Sequence, residues 1–166
     1  MKAQIEKHFA RLQMQSINCI KEQLTSFFCT VDTKIAKTVS QVMALIMLRG
    51  GFNIWPDLLS FLTTNLMQDC FTQSPEINKR NISVIEDSIH TIAIIVEDCA
   101  KLFEDNKFRD VVNEMFPRVC KLISTNYNET IVQNAINTIN MLLLTNTDSI
   151  MQSMNEYLNV LLNIGE

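Results

Sequence analysis

Glu86, His90, Ala93 and Glu97 follow one another at steps of four, three and four residues, the spacing that holds side chains on a single helix face. Asp87 and Asp98 stand beside that line. Carboxylates so arranged form an acidic strip that can receive the Lys or Arg side chains of a protein partner. Exposed ion pairs contribute at most about 1 kcal/mol each, so such a strip steers association more than it holds a complex. The plainer alternative is a solvated helix face on which Glu97 and Asp98 fix the loop that follows.

Other chemistry is hard to write from this chain. The three glycines are Gly50, Gly51 and Gly165, which leaves no phosphate-cradling loop and no dinucleotide turn. His8 and His90 have no second His or Cys at a metal-ligand spacing. No Gly-x-Ser-x-Gly is present, and no Ser, His and Asp lie close enough in sequence to suggest a triad. A non-enzyme without catalytic residues, metal or cofactor is expected, with a triad assembled only in space as the open alternative. Asn81-Ile82-Ser83 and Asn128-Glu129-Thr130 match the glycosylation pattern but read as helix-start chemistry.

The elements that would carry the strip follow from apolar periodicity. Trp55-Pro56-Asp57-Leu58-Leu59 is echoed by Phe116-Pro117-Arg118-Val119, and proline suits the first turn of a helix, where its missing N–H costs nothing. Pro56 and Pro117 are therefore read as helix starts. Leu58, Leu59, Leu62, Leu66 and Met67 follow the first at helical period, and Val119, Cys120, Leu122 and Ile123 follow the second. Trp55, just ahead of its helix, is a structural residue that staples the entry angle against the preceding repeat.

Placing Ile17 and Asn155 in the same phase gives separations of 39 (17 to 56), 61 (56 to 117) and 38 (117 to 155) residues. Two of these lie near the roughly 40 to 47 residues of HEAT and armadillo repeats. The long interval predicts an inserted loop over 68–81, rich in polar residues and holding Pro75. Second helices are predicted over 32–49, 82–103 and 130–144, with Ile35, Val39, Met43 and Ile46, then Ile85, Ile89, Ile92, Val96 and Phe103, then Ile131, Ala135, Ile139, Leu142 and Leu143 on their apolar faces. No segment alternates with period two over a strand's length. The expected fold is all-α, a HEAT-repeat superhelix of about three helix pairs plus a terminal first helix. Its divisions are 1–50 (the end of one repeat plus a pair), 51–105, 106–146 and 147–166.

The chain has 166 residues, is 47% hydrophobic and carries a net charge of −4. That is material for one continuous core, and the acidity argues against a nucleic-acid partner and for a basic protein one. The charged start lacks a secretory signal, and no apolar run approaches the ~20 residues that span a bilayer. Five cysteines without a Cys-x-x-Cys read as reduced, mostly buried thiols, which predicts a cytoplasmic or nuclear compartment. The apolar 156–164 stretch has no second helix after it, and a segment cut from a longer array is expected.

Trp55-Pro56-Asp57-Leu58-Leu59, Ile95-Val96-Glu97-Asp98-Cys99-Ala100 and Met115-Phe116-Pro117-Arg118, with His8-Phe9 ahead of them, resemble in order and spacing the amino-terminal HEAT repeats of the importin-β (karyopherin-β) superfamily, its transportin branch above all. The resemblance covers nearly the whole chain, from the end of a second repeat into the first helix of a sixth. Two departures stand out. Asp32 is present, but Ala36 and Val132 occupy positions where similar family members carry the Arg that links repeats, which predicts an apolar inter-repeat ladder. The 68–81 connection also looks longer than in transportins.

The resemblance implies a nuclear transport receptor that shuttles between cytoplasm and nucleus, carries cargo through the nuclear pore and releases it on binding Ran-GTP. In that family the second helices of the first repeats grip Ran, which would assign Glu86, Asp87, His90 and Glu97 to that contact. Cargo would be held by repeats outside this segment. Phe-Gly nucleoporin repeats bind between first helices, where Phe61, Met115 and Phe116 could line a groove. A generic HEAT or armadillo scaffold for other proteins is the alternative reading.

Overall fold

A computed structural model describes residues 14–28, 33–100, 103, 109–125 and 128–145, with isolated positions beyond. Its helices are α1 (Met14–Phe27), α2 (Thr33–Ile54), α3 (Leu58–Asn65), α4 (Pro75–Asp98), α5 (Arg109–Ser124) and α6 (Glu129–Thr145). No strand occurs among the described residues. Successive helices pack as the pairs α1·α2, α3·α4 and α5·α6. Across pairs, α4 lies between α2 and α6 in one layer, and α3 meets α5 in the other. First helices on first helices and second on second is the arrangement of a helical-repeat solenoid, as the apolar spacing predicts. The terminal first helix expected over 147–166 lies largely outside the described residues, as do His8 and Asp32.

One core runs through both layers. Ile85, Ile89, Ile92, Ile95 and Val96 of α4 are fully enclosed, as are Ile131, Ala135, Ile139 and Leu142 of α6. Each fully buried aliphatic side chain contributes about 1.5 to 3 kcal/mol relative to exposure, so these stripes outweigh any local preference. Ile35 and Met67, expected on the apolar faces, are instead 47% and 50% exposed. Phe28 and Phe61 meet edge to face with centroids 5.8 Å apart, tying the end of α1 to α3.

Three boundaries differ from the sequence expectation. Helix α2 does not stop at Gly50 but runs through both glycines to Ile54. Pro56 ends it, because the residue before a proline is disfavoured in helical geometry, and Trp55 leaves the helix there. Trp55 and its neighbours then form the turn into α3. The Leu58 N–H donates to the Trp55 carbonyl at 3.3 Å, and the Phe61 N–H to the Asp57 carbonyl at 2.9 Å.

Pro117 is not a helix start. It lies inside α5, which begins at Arg109. Val112, Met115 and Phe116 before it and Val119, Cys120, Leu122 and Ile123 after it form one buried stripe. Burying that stripe offsets the ~3 kcal/mol that an interior proline costs by deleting a backbone hydrogen bond. The echo between the two aromatic-proline pairs is real in sequence, but neither proline occupies the first turn of a helix: Pro56 stands in the turn before Asp57, the N-cap of α3.

The 68–81 insertion is shorter than predicted, because α4 starts at Pro75 in its first turn. Residues 75–81 are helical, and the helix sends two side chains back to the remaining connection. Asn78 accepts at Oδ1 from the Thr72 N–H at 2.8 Å and donates from Nδ2 to the Thr72 carbonyl at 2.8 Å. Asn81 donates to the Asp69 carbonyl. Asn81 is therefore a mid-helix tether and not a helix start.

Candidate functional site

The parallel second helices α2, α4 and α6 bring the acidic strip between two neighbours. Glu86, Asp87 and His90 are each half-buried, while Glu97 is exposed. Asn128 caps α6: its Oδ1 accepts from the Ile131 N–H at 2.9 Å. The same amide donates from Nδ2 to Glu86 Oε2 at 3.0 Å. Helix-start chemistry at Asn128, read from the sequence, is thus present, and it engages the first residue of the strip.

The side chain of Asn134 on α6 lies near enough to His90 to favour its charged form. Its pKa lies below the usual histidine value because burial disfavours the imidazolium and Lys37 repels it, against the opposing pull of Asn134 and Glu86. Asp87, like His90, feels Lys37 of α2. Burial first and the neighbouring Glu86 second push its carboxyl up to about 6, with Lys37 opposing. Its Oδ2 is enclosed without a hydrogen-bond partner, and exposed Lys37 is the charge that favours its ionised form.

At the two positions that lack the family's arginine the packing is apolar, since Ala36 is buried and Val132 packs against the core; the Glu86–Asn128 bond adds a polar contact between α4 and the start of α6. The structure brings Glu86, Asp87 and His90 into one cluster with Lys37, Asn128 and Asn134, and leaves Glu97 exposed near the C-terminal end of α4. Sequence reasoning missed Lys37 and Asn134, whose roles depend on register between helices that sequence separation hides.

On the other layer, Met115 and Phe116 are 0% and 1% exposed, so they cannot line an open groove; only half-buried Phe61 of that trio reaches the surface. The inward stripe of α5 explains this, because both belong to it. Trp55 is buried at 8% exposure. Arg118 was also overlooked as a contact residue. It donates to the Thr63 carbonyl at 3.1 Å and pairs with Glu114 at 2.7 Å, linking α5 to the end of α3. The Glu114-to-Arg118 step of four was a signal available in sequence.

Among the described residues no group of three or more His, Cys, Asp or Glu side chains could hold a metal ion, and no helix is long and apolar enough to cross a membrane. The second-helix layer presents a polar surface that includes Glu86, Asp87 and His90, with Glu97 near its edge.

That layered geometry agrees with what comparison with known proteins finds. Over its whole length the chain is 21% identical to a protein named Transportin from Dictyostelium discoideum. At this identity the similarity is a distant one. The chain spans 16% of that relative's length. No protein-family pattern matches the chain.

Proposed function

We propose that this chain is a segment of a nuclear transport receptor whose second-helix layer contacts Ran in its GTP-bound form. The observation that carries the reading is the end-to-end match with Transportin on a chain whose helices stack as repeats. The cluster on α4 supports it: the acidic side chains Glu86, Asp87 and Glu97 face or border the layer on which a basic partner surface would sit. Within the cluster the roles divide. Glu97, exposed, is the first contact for an incoming cation, whereas Glu86 must share its carboxylate with Asn128.

Cargo is held by repeats outside this segment, and the receptor shuttles between cytoplasm and nucleus. Phe-Gly nucleoporin repeats use the first-helix layer, where Phe61 is the residue left to meet them.

Binding of the chain to Ran loaded with a non-hydrolysable GTP analogue, against Ran-GDP, tests the reading. A preference for the GTP form that falls about tenfold in Glu86→Lys/Glu97→Lys is expected. Equal binding to both nucleotide states would reject the assignment and leave a scaffold for other proteins.

A further inference from the structure

The polar cluster on α4 holds a charge that its surroundings only half accommodate. One carboxylate oxygen of Asp87, Oδ2, is enclosed and has no hydrogen-bond partner. An enclosed oxygen that no N–H or O–H satisfies favours the neutral acid over the carboxylate. Glu86, next in the chain and fixed by Asn128 at 3.0 Å, acts in the same direction by like-charge repulsion. Lys37 opposes both, but it is exposed, and water weakens the pull of an exposed cation.

The helices packed against α4 supply little further counter-charge. Helix α2 carries Lys34, Lys37 and Arg49, of which Lys37 acts on Asp87. Helix α3 carries no charged residue, and the one charged residue of α6 is Glu129, in its first turn. From α6 the cluster receives two amides, Asn128 beside Glu86 and Asn134 beside His90. On α4 itself, burial and Lys37 hold His90 toward its neutral form. Two neighbouring carboxyls therefore share one distant cation, and a second cation is what the cluster lacks.

We propose that this cluster is a proton-linked contact site: Asp87 releases a proton to solvent when a cationic side chain of the partner settles beside Glu86, and on acidification the proton competes with that cation. The partner is the one proposed above, so this regulation rests on the Ran reading and adds to it a dependence on acidity. By linkage, whatever the partner gains from ionised Asp87 it loses as the group takes up its proton. With Asp87 titrating at about 6, a partner that engages only the ionised carboxylate loses about fourfold in affinity between about pH 7.5 and about pH 5.5. Protonation of His90 at the acid end adds a cation to the cluster and acts in the same direction.

Binding of the whole chain to Ran loaded with a non-hydrolysable GTP analogue, followed over that pH range at fixed ionic strength, tests it in wild type and in Asp87→Asn. The titrating groups of Ran and His90 are common to both chains, so the ratio of the two affinities isolates Asp87. That ratio falls about fourfold on acidification, and Lys37→Gln, which removes the opposing cation, moves the fall to higher pH. Carboxyl NMR gives a second readout: saturating Ran-GTP lowers the titration midpoint of Asp87. The Asn side chain keeps the volume of Asp, and unchanged helical circular dichroism confirms that each variant is folded. An affinity ratio that stays constant over the range, or an Asp87 midpoint that bound Ran-GTP leaves in place, overturns the proposal and leaves the Ran reading standing. No binding to Ran-GTP even at the neutral end, where Asp87 is ionised, removes the Ran reading and the proposal with it.

Discussion

Asn128 and Glu86 are 42 residues apart in sequence and joined side chain to side chain at 3.0 Å, with the other end of the Asn128 amide capping α6. One residue therefore starts a helix and fastens that helix to its predecessor. Asn128→Ala removes both bonds and is expected to cost about 1 kcal/mol in urea unfolding. Asn128→Asp keeps the cap but places a second carboxylate against Glu86, so it should recover less than the full loss. Recovery to wild-type stability would mean that the cross-helix bond contributes nothing.

Trp55 fills the junction between α2 and α3 with 8% of its surface exposed. Trp55→Ala leaves a large cavity there, and a loss of about 3 kcal/mol is expected. Thermal unfolding gives the measurement, and an unchanged Tm would remove the residue from the core.

Pro117 distinguishes the observed helix from the one read off the sequence. Inside α5 it deletes the hydrogen bond to the carbonyl of Asn113, so Pro117→Ala should stabilise the chain by about 1 kcal/mol or more. At a helix start the same change would be neutral or destabilising. Urea midpoints for the two proteins decide between them.

Asp87 sets a pH dependence. Its carboxyl titrates at about 6 in the folded chain against 3.8 in the unfolded one, so between those values the folded state binds more protons than the unfolded state. The Asp87 contribution therefore rises as pH falls through 6 toward 4. His90, with a lowered pKa, acts in the opposite sense, because the unfolded chain takes up that proton first as pH falls through 6.5. Asp87→Asn removes the first effect alone. At about pH 7 the variant should be more stable by about 1 kcal/mol, a value already discounted for the partial exposure of the group. The advantage should vanish at about pH 4, and an equal advantage at both pH values would contradict the assignment.

The described thiols divide by depth. Cys19 is exposed, while Cys70, Cys99 and Cys120 are buried, and burial raises Cys99 to about 11 with Asp98 adding to the effect. Under native conditions a thiol reagent should modify Cys19 before Cys70, Cys99 and Cys120, which it reaches only in denaturant; Cys29 lies outside the described residues. Mass spectrometry of the labelled peptides reads the order, and early modification of Cys99 would be incompatible with this core.

Much of the architecture was legible in the residues alone, because helical period is a local property. Ile85, Ile89, Ile92 and Val96 recur at the spacing of one helix face whatever surrounds them, and all four are enclosed. Repeat order followed from the same patterns, since each amphipathic helix must bury its stripe against a neighbour. Where one helix ends and which side chains meet across helices were matters for tertiary packing. Pro117 is a helix breaker by propensity, yet seven buried neighbours on α5 carry the helix through it. Asn78 and Asn81 resemble loop residues until the connection is there to receive their hydrogen bonds. Lys37 beside Asp87, and Asn134 beside His90, depend on the register at which α2, α4 and α6 lie side by side. That register is set by how whole stripes interlock, a sum over many contacts that no single segment encodes.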